Sequence, residues 1–441
     1  MASTRIYRNL AQNNGGKLTV SFWVKRAKLG ATQEVVANWY SGSYNATIRF
    51  LSDDTLDFTD YRTAVIMKRA TNRKFRDVNA WYHIVCNFDN TLGTPSQKVF
   101  VNGVEETSFA SSTNYSQNGT TSWNTDYTHE IGATNSASYF DGSLADLYFI
   151  QGQQYDASTF GETDATTGEW KPKTDPTINY GATGNNSYNL KFENSANMDL
   201  DSGDNTVSFT TAGSLTQTED CPANVFATFN PLHNTSATMS NGNTTAQSTN
   251  ANYISGVSTL GTKTGKFYAE FKLIAEGASG ESVIGVTALV RPTSAIIAQT
   301  GNFGIRNNNG LNYYTSGGTA FTATSQHNNF TVNDIIGVAL DMDNGRVYFS
   351  KNGGWWNGAS TWTGTSPSSY ITLQTDIYDE FFFECGDAGA SVNATWNANF
   401  GNGYFGTTAV SSAGTNASNN GIFEYDVPTG YTALSTQGLN K

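Results

Sequence analysis

The chain has 441 residues, of which 14% are charged and 13% aromatic, with a formal net charge of −12 and four histidines. That length allows two cores of about 200 residues each. Rings in this number, each removing roughly 150–250 Å² from water when buried, exclude a disordered chain. So few histidines and charged groups argue against an enzyme built around titrating side chains.

Charge is unevenly placed: residues 1–80 carry 13 Lys/Arg against 6 Asp/Glu, and the remainder carries 12 against 31. The acidic whole repels phosphate, so nucleic acid is not expected as a partner. No apolar run of about 18 residues occurs, and no membrane span is expected. Met1 to Arg8 is polar and lacks the apolar stretch of a secretory signal. Cys86, Cys221 and Cys385 are odd in number and far apart, a usage that fits assembly in a reducing cytoplasm.

Strand patterns dominate from the start. Leu18, Val20, Phe22 and Val24 alternate with Thr19, Ser21, Trp23 and Lys25, which predicts one face in and one face out. Residues 81–88 and 98–101 read as further strands, the second stopped by the hairpin pair Asn102-Gly103. Asp141-Gly142 reads as a turn before a strand over 144–150. Residues 151–220 are polar and turn-rich. Trp170, Tyr180, Tyr188 and Phe192 nevertheless need burial, which predicts an ordered wrap returning a strand at 188–192 to the first body.

A second strand-rich body begins near Cys221-Pro222. Residues 266–273 alternate cleanly, and 335–342 and 346–350 flank the turn Asp343-Asn344-Gly345. Phe381 to Cys385 reads as an inner strand. Residues 406–441 read as a polar tail with Phe423, Tyr425 and Tyr431 as anchors.

Two family resemblances rest on these segments. LTVSFWVKR at 18–26, WYHIVCNFD at 81–89, KVFVNGV at 98–104 and FDGSLADLYFI at 140–150 resemble the laminin-G-like, concanavalin-type jelly roll. GKFYAEFKL at 265–273 and IIGVALDMDNGRVYFSKNGGWWNG at 335–358 resemble a SPRY sandwich. The joining stretch, YDASTFGETDATTGEWKPK at 155–173 followed by YNLKFENS and PANVFATFNPL, is similar to the joined pair found in structural proteins of tailed bacteriophages.

The expected fold is therefore all-β, two tandem antiparallel sandwiches: 1–205 laminin-G-like, 206–221 a connector, and 222–441 SPRY-like with its polar tail. The resemblance implies a non-enzymatic virion protein assembled in the host cytoplasm, as a capsid-surface fibre or decoration or a tail-fibre component. Its partners would be other virion proteins and a host surface glycan or protein. A homo-oligomer is expected, a trimer by analogy with fibres. A secreted carbohydrate-binding lectin or adhesin and a glycan hydrolase of concanavalin-like fold are the alternatives. The second needs two carboxylates about 5–5.5 Å apart, and Glu162, Asp164 and Glu169 do not supply the Glu-x-Asp-x-x-Glu spacing.

Trp355, Trp356 and Trp362, in a Gly/Thr/Ser-rich stretch, and the pair Tyr313 and Tyr314 form the candidate recognition surface, with capping of a sandwich end or burial between subunits as the other reading. Lys68, Arg69, Arg73, Lys74 and Arg76 form a candidate interchain basic patch. No cofactor is implied. Asp53, Asp54, Asp57 and Asp60 give an oxygen-rich run that calcium could use, without the EF-hand spacing, or simply a solvated loop. The histidines at 83, 129, 233 and 327 are scattered, and no nucleophile elbow accompanies them.

Overall fold

The computed structural model describes residues 4–440 apart from 14, 182–185, 234–236, 250–252, 277–281, 289–300, 308–310, 317–318, 327–328, 360 and 388–393. His327 lies outside the described residues. The chain forms two units, Met1–Gln217 and Thr218–Lys441. Each is a pair of sheets, and no described helix is long and apolar enough to cross a membrane.

In the first unit an eight-stranded sheet faces a six-stranded one. The eight run in space as Phe109–Thr113, Val65–Lys74, Thr55–Arg62, Tyr44–Phe50, Gln33–Ser41, Thr128–Ile131, Arg5–Asn9 and Thr210–Ala212. The six run as Tyr188–Leu190, Gly142–Gln151, Lys17–Arg26, Trp81–Asp89, Ser96–Val101 and Val104–Glu105. Neighbours pair antiparallel, and Leu18, Val20, Phe22 and Val24 enter the core opposite Ile48, Phe50, Phe58 and Met67. Asn102 and Gly103 both take positive φ, 48° and 82°, which closes the two-residue turn expected there. The segment 206–221 is more than a connector, because Thr210–Ala212 adds a last strand beside Arg5–Asn9.

The alternating face of Lys17–Arg26 departs from expectation. Thr19, Ser21, Trp23 and Lys25 are all 4% exposed or less, so both faces are buried. The cause is the wrap after residue 151. Its hairpin, Gly161–Thr163 with Trp170–Pro172, lies over this sheet, and Phe160, Tyr155 and Trp170 pack on Val85, Phe100, Tyr148 and Ile150. Thr19 spans the seam: its hydroxyl donates to the Gln153 carbonyl and accepts from the Tyr155 amide.

The second unit repeats the plan. One sheet runs Ala237–Ser240, Thr245–Ser248, Thr395–Asn399, Lys266–Ala275, Ile335–Asp341, Arg346–Lys351 and Gly354–Trp355; Tyr370–Thr372 and Thr432–Ala433 pair at its sides. The other runs Tyr253–Val257, Phe382–Asp387, Ser282–Thr287, Asn302–Arg306, Leu311–Ser316 and Thr319–Gln326. Phe271, Leu273, Ile336, Val338, Phe349, Phe383 and Trp396 fill the space between. Asp341 pairs with Arg346, so the loop between holds four residues; Asp341 accepts from Asn344, and only Gly345 of the Asn-Gly pair takes positive φ.

The tail is built into this unit. Thr432–Ala433 pairs parallel with Phe267 and Tyr268, while Phe423, Val427 and Tyr431 cover the outer side of the sheet against Tyr268, Tyr348 and Trp355. Its anchor is polar. The buried Glu270 carboxylate accepts the Glu424 and Tyr425 amides at 2.8 Å each, the Tyr268 hydroxyl at 3.1 Å and Asn399 Nδ2 at 3.3 Å.

Candidate functional site

The tryptophans expected on an open surface are packing residues. Trp355 is 5% exposed, its ring 6.3 Å from that of Tyr268. Trp356 is 4% exposed and donates its Nε1–H to the Ala359 carbonyl. Trp362 is half-buried against the second core. The burial of Trp355 follows from the same polar tail, which closes over the strand Trp355 extends. Tyr313 and Tyr314 are strand residues within Leu311–Ser316, opposite Gly304 and Phe303, rather than a pair between turns.

The basic cluster is no bare patch either. Strands 44–50, 55–62 and 65–74 lie side by side, which brings its charges onto this chain's own acids and carbonyls. Lys68 pairs with Asp57, Arg73 with Glu106 and Arg76 with Asp54. Arg69 is 9% exposed and donates to the carbonyls of Lys68 and Thr113 and to Gln97 and Asn114. Lys74 is exposed.

Those pairings also disperse the acidic run. Asp54 is held by Arg26, Arg76 and the Gly30 amide; burial pushes its pKa up, but these donors outweigh it and leave it below the ordinary value. Asp53 caps Thr55, whose hydroxyl and amide lower its pKa. Asp57 takes Arg49 and Lys68. Asp60 is buried, accepts Tyr115 Oη and the Ser122 amide, and is pushed up to about 6 by burial. Among the described residues no cluster of three or more His, Cys, Asp or Glu is arranged to hold a metal.

The described histidines serve the packing. His83 lies between Trp23, 4.8 Å away, and Trp170, 6.0 Å away. Trp170 Nε1–H donates to its Nδ1 at 3.0 Å, which leaves its proton on Nε2 facing Ser21 Oγ at 2.9 Å. His129 sits between Asn38 and Tyr188. Burial lowers both imidazoles to about 3 and His233 to about 4, so all three are neutral at pH 7. Cys86 and Cys385 are buried free thiols whose pKa is pushed upward. Of the wrap's acids, Glu162 and Glu169 are exposed at a hairpin, and the half-buried Asp164 is bonded to Lys171.

The exposed aromatic surface lies elsewhere, at one end of the eight-stranded sheet. Strands 33–41 and 44–50 meet at the two-residue loop Gly42-Ser43, and the register slips between Trp39 and Ser41. That irregularity turns Tyr40 outward, 68% exposed. Its ring lies on Tyr127 at 5.2 Å and 22°, while Tyr44 stands across it at 6.3 Å and 72°. Tyr44 pairs with Arg62, whose guanidinium covers the Tyr44 ring at 5.3 Å and reaches Tyr127 Oη at 3.5 Å. The Thr63 amide donates to the Ser43 carbonyl and ties the two strand ends together. The result is a two-walled corner of rings with a cation at its edge. The sequence signal for it was Tyr40-Ser-Gly-Ser-Tyr44, two tyrosines straddling a tight turn.

Residues 3–153 match the Laminin_G_3 description of the concanavalin A-like lectin/glucanases superfamily, and residues 267–365 match the SPRY domain. No curated protein sequence matches this one. Among solved structures, the SPRY domain of human HERC1 is 18% identical, with 38% of this chain and 96% of that one covered and a TM-score of 0.31. The heptameric SAP-like pentraxin from Limulus polyphemus is 17% identical over 34% of this chain and 71% of that one, with a TM-score of 0.26. Domain 4 of AbnA, a GH43 extracellular arabinanase from Geobacillus stearothermophilus solved with arabinotriose, is 19% identical over 33% and 67%, with a TM-score of 0.27. The chain carries a laminin-G-like, concanavalin-type domain followed by a SPRY-like domain.

Proposed function

We propose that this chain is a non-enzymatic recognition protein, which presents the Tyr40 corner of its first sandwich to a glycan or protein on a cell surface. The observation that carries this reading is the contrast in exposure: Tyr40 faces solvent at 68%, whereas His83, His129 and Glu270 are at 1% or less. His83, His129 and Glu270 are committed to internal hydrogen bonds, while the Tyr40 corner offers accessible aromatic and cationic groups.

We further propose that the protein is a structural component of a tailed-phage virion, as a fibre or decoration and as a homo-oligomer. This placement rests on the joining stretch 155–173, whose Trp170 docks on the first sandwich as an integral part of it. Repetition on a particle raises avidity, so each contact can be weak. A cellular lectin or adhesin is the second reading, favoured by the match of residues 3–153 to a lectin and glucanase superfamily.

An averaged density map of phage particles tests the placement: the two sandwiches should appear in repeated copies on head or tail, and their absence rejects it. Incubation with cell-surface polysaccharide tests the mechanism. Retention of the chain on the polymer is expected, and release of short sugars with turnover would make the protein an enzyme.

A further inference from the structure

We infer that the Tyr40 corner is a binding site for a carboxylated pyranose, a uronic or comparable acidic sugar within a polysaccharide. The inference rests on the recognition role proposed above and names its ligand class. Three features of the corner carry it.

The first is shape. A pyranose has an apolar C–H face and a rim of hydroxyls. Tyr40, with one face of its ring on Tyr127 at 5.2 Å and the residue 68% exposed, offers a supported flat platform of ring size. Tyr44, at 72° to it, makes a second wall that fixes the orientation of whatever lies on the first.

The second is the cation. Arg62 lies over the Tyr44 ring and uses Nη1 toward Tyr127 Oη at 3.5 Å, which leaves its remaining guanidinium N–H donors for a ligand. The acid whose field it feels, Asp60, is buried and already accepts Tyr115 and Ser122. The planar donor fork matches a carboxylate in two parallel hydrogen bonds, and its seat on Tyr44 holds the plane in place.

The third is the surrounding charge. Tyr40, Tyr44 and Arg62 belong to residues 1–80, where 13 Lys/Arg stand against 6 Asp/Glu in an otherwise acidic protein. Arg5, Lys17, Arg26, Arg49, Lys68, Arg73 and Arg76 of that segment are ion-paired within the chain, so the charge that favours an anionic sugar at the corner is that of Arg62 itself. An aromatic peptide side chain would use the platform but leave the fork without a partner.

The test titrates the full chain calorimetrically with a panel of tetrasaccharides. Alginate, pectin and glucuronate oligomers are the acidic members; maltotetraose and cellotetraose are the neutral ones. Binding of at least one acidic member is expected, at least tenfold tighter than its neutral counterpart. Tyr40→Ala should weaken it tenfold or more with an unchanged melting curve. Arg62→Gln should remove the preference for the acid while leaving weak binding. Equal affinity for acidic and neutral sugars overturns the assignment of Arg62. Acidic-sugar binding that survives Tyr40→Ala moves the site elsewhere and leaves the recognition role standing. No binding to any member overturns the ligand class, and whether the chain still adheres to cells then decides the broader reading separately.

Discussion

Both sandwiches bury the outer side of one sheet under a later stretch of their own chain, but they fasten it with opposite chemistry. In the first unit the 152–181 wrap sets Trp170 on His83, a neutral ring held between two indoles. In the second the 410–435 stretch donates two backbone amides to Glu270, a buried carboxylate. Aromatic area supplies the adhesion in each case. The polar anchor fixes the register, and it decides how the seam responds to mutation and to acid.

The largest expected effect is at Glu270. Glu270→Ala strips the acceptor from two buried and two part-buried donors at once, and leaving such groups unsatisfied costs about 3 kcal/mol or more. Urea denaturation should show the loss in the second unit alone. Trp170→Ala removes the ring from His83 and from the surface of the six-stranded sheet, and about 2–3 kcal/mol is expected from the first unit. If the two variants melted the same unit, the assignment of one fastening to each would fail.

Acid should separate the two seams. The folded imidazole of His83 is lowered from 6.5 to about 3, so the unfolded chain takes up a proton first. Its contribution is full above about pH 6.5 and lost as pH falls toward 3, about 2 kcal/mol by pH 5. Burial pushes Glu270 up to about 7 against the pull of its donors, so the folded state holds the proton longer than the unfolded one. That contribution is full below about 4.5 and lost as pH rises through 7. In the first unit Glu34, Asp60 and Asp146 are also pushed up by burial and act in Glu270's direction. The clean measurement is therefore the difference between wild type and His83→Gln: the first unit of the variant should lose less stability between pH 7 and 5.

The smallest effect sharpens the seam itself. Gly103 and Gly430 have φ of +82° and +87°, but a Cβ on Gly103 would meet Trp170 at 2.6 Å, whereas one on Gly430 meets nothing within 4 Å. Gly430→Ala should cost about 1 kcal/mol of backbone strain, and Gly103→Ala measurably more by thermal melting.

Strand positions were legible because alternation is a local property, and it located Lys17–Arg26, Trp81–Asp89 and Lys266–Ala275. The coverings were only partly legible. Residues 406–441 are rich in Ser, Thr, Asn and Gly and read as a polar tail anchored by Phe423, Tyr425 and Tyr431; Phe423 and Tyr431 do pack around Tyr268, but no local pattern records which surface they cover. The same long-range closure decides between the two readings of Trp355, in favour of packing. Tyr40 was missed for the converse reason: a slipped register exposes it, and only the paired backbone reveals the slip.

One junction in the second unit carries a consequence for biosynthesis. The Ala227 amide donates to Leu434, the Val225 amide to Thr436, and Phe226 bridges Ser435. Opening and closing segments of this sandwich are thus zipped together across more than two hundred intervening positions. At roughly 5–20 residues per second, a ribosome spends some tens of seconds between making one half of the zip and making the other. Throughout that interval Phe226 and Tyr268 await their cover, and a nascent chain halted before Leu434 would expose sticky aromatic surface to its neighbours on the same message.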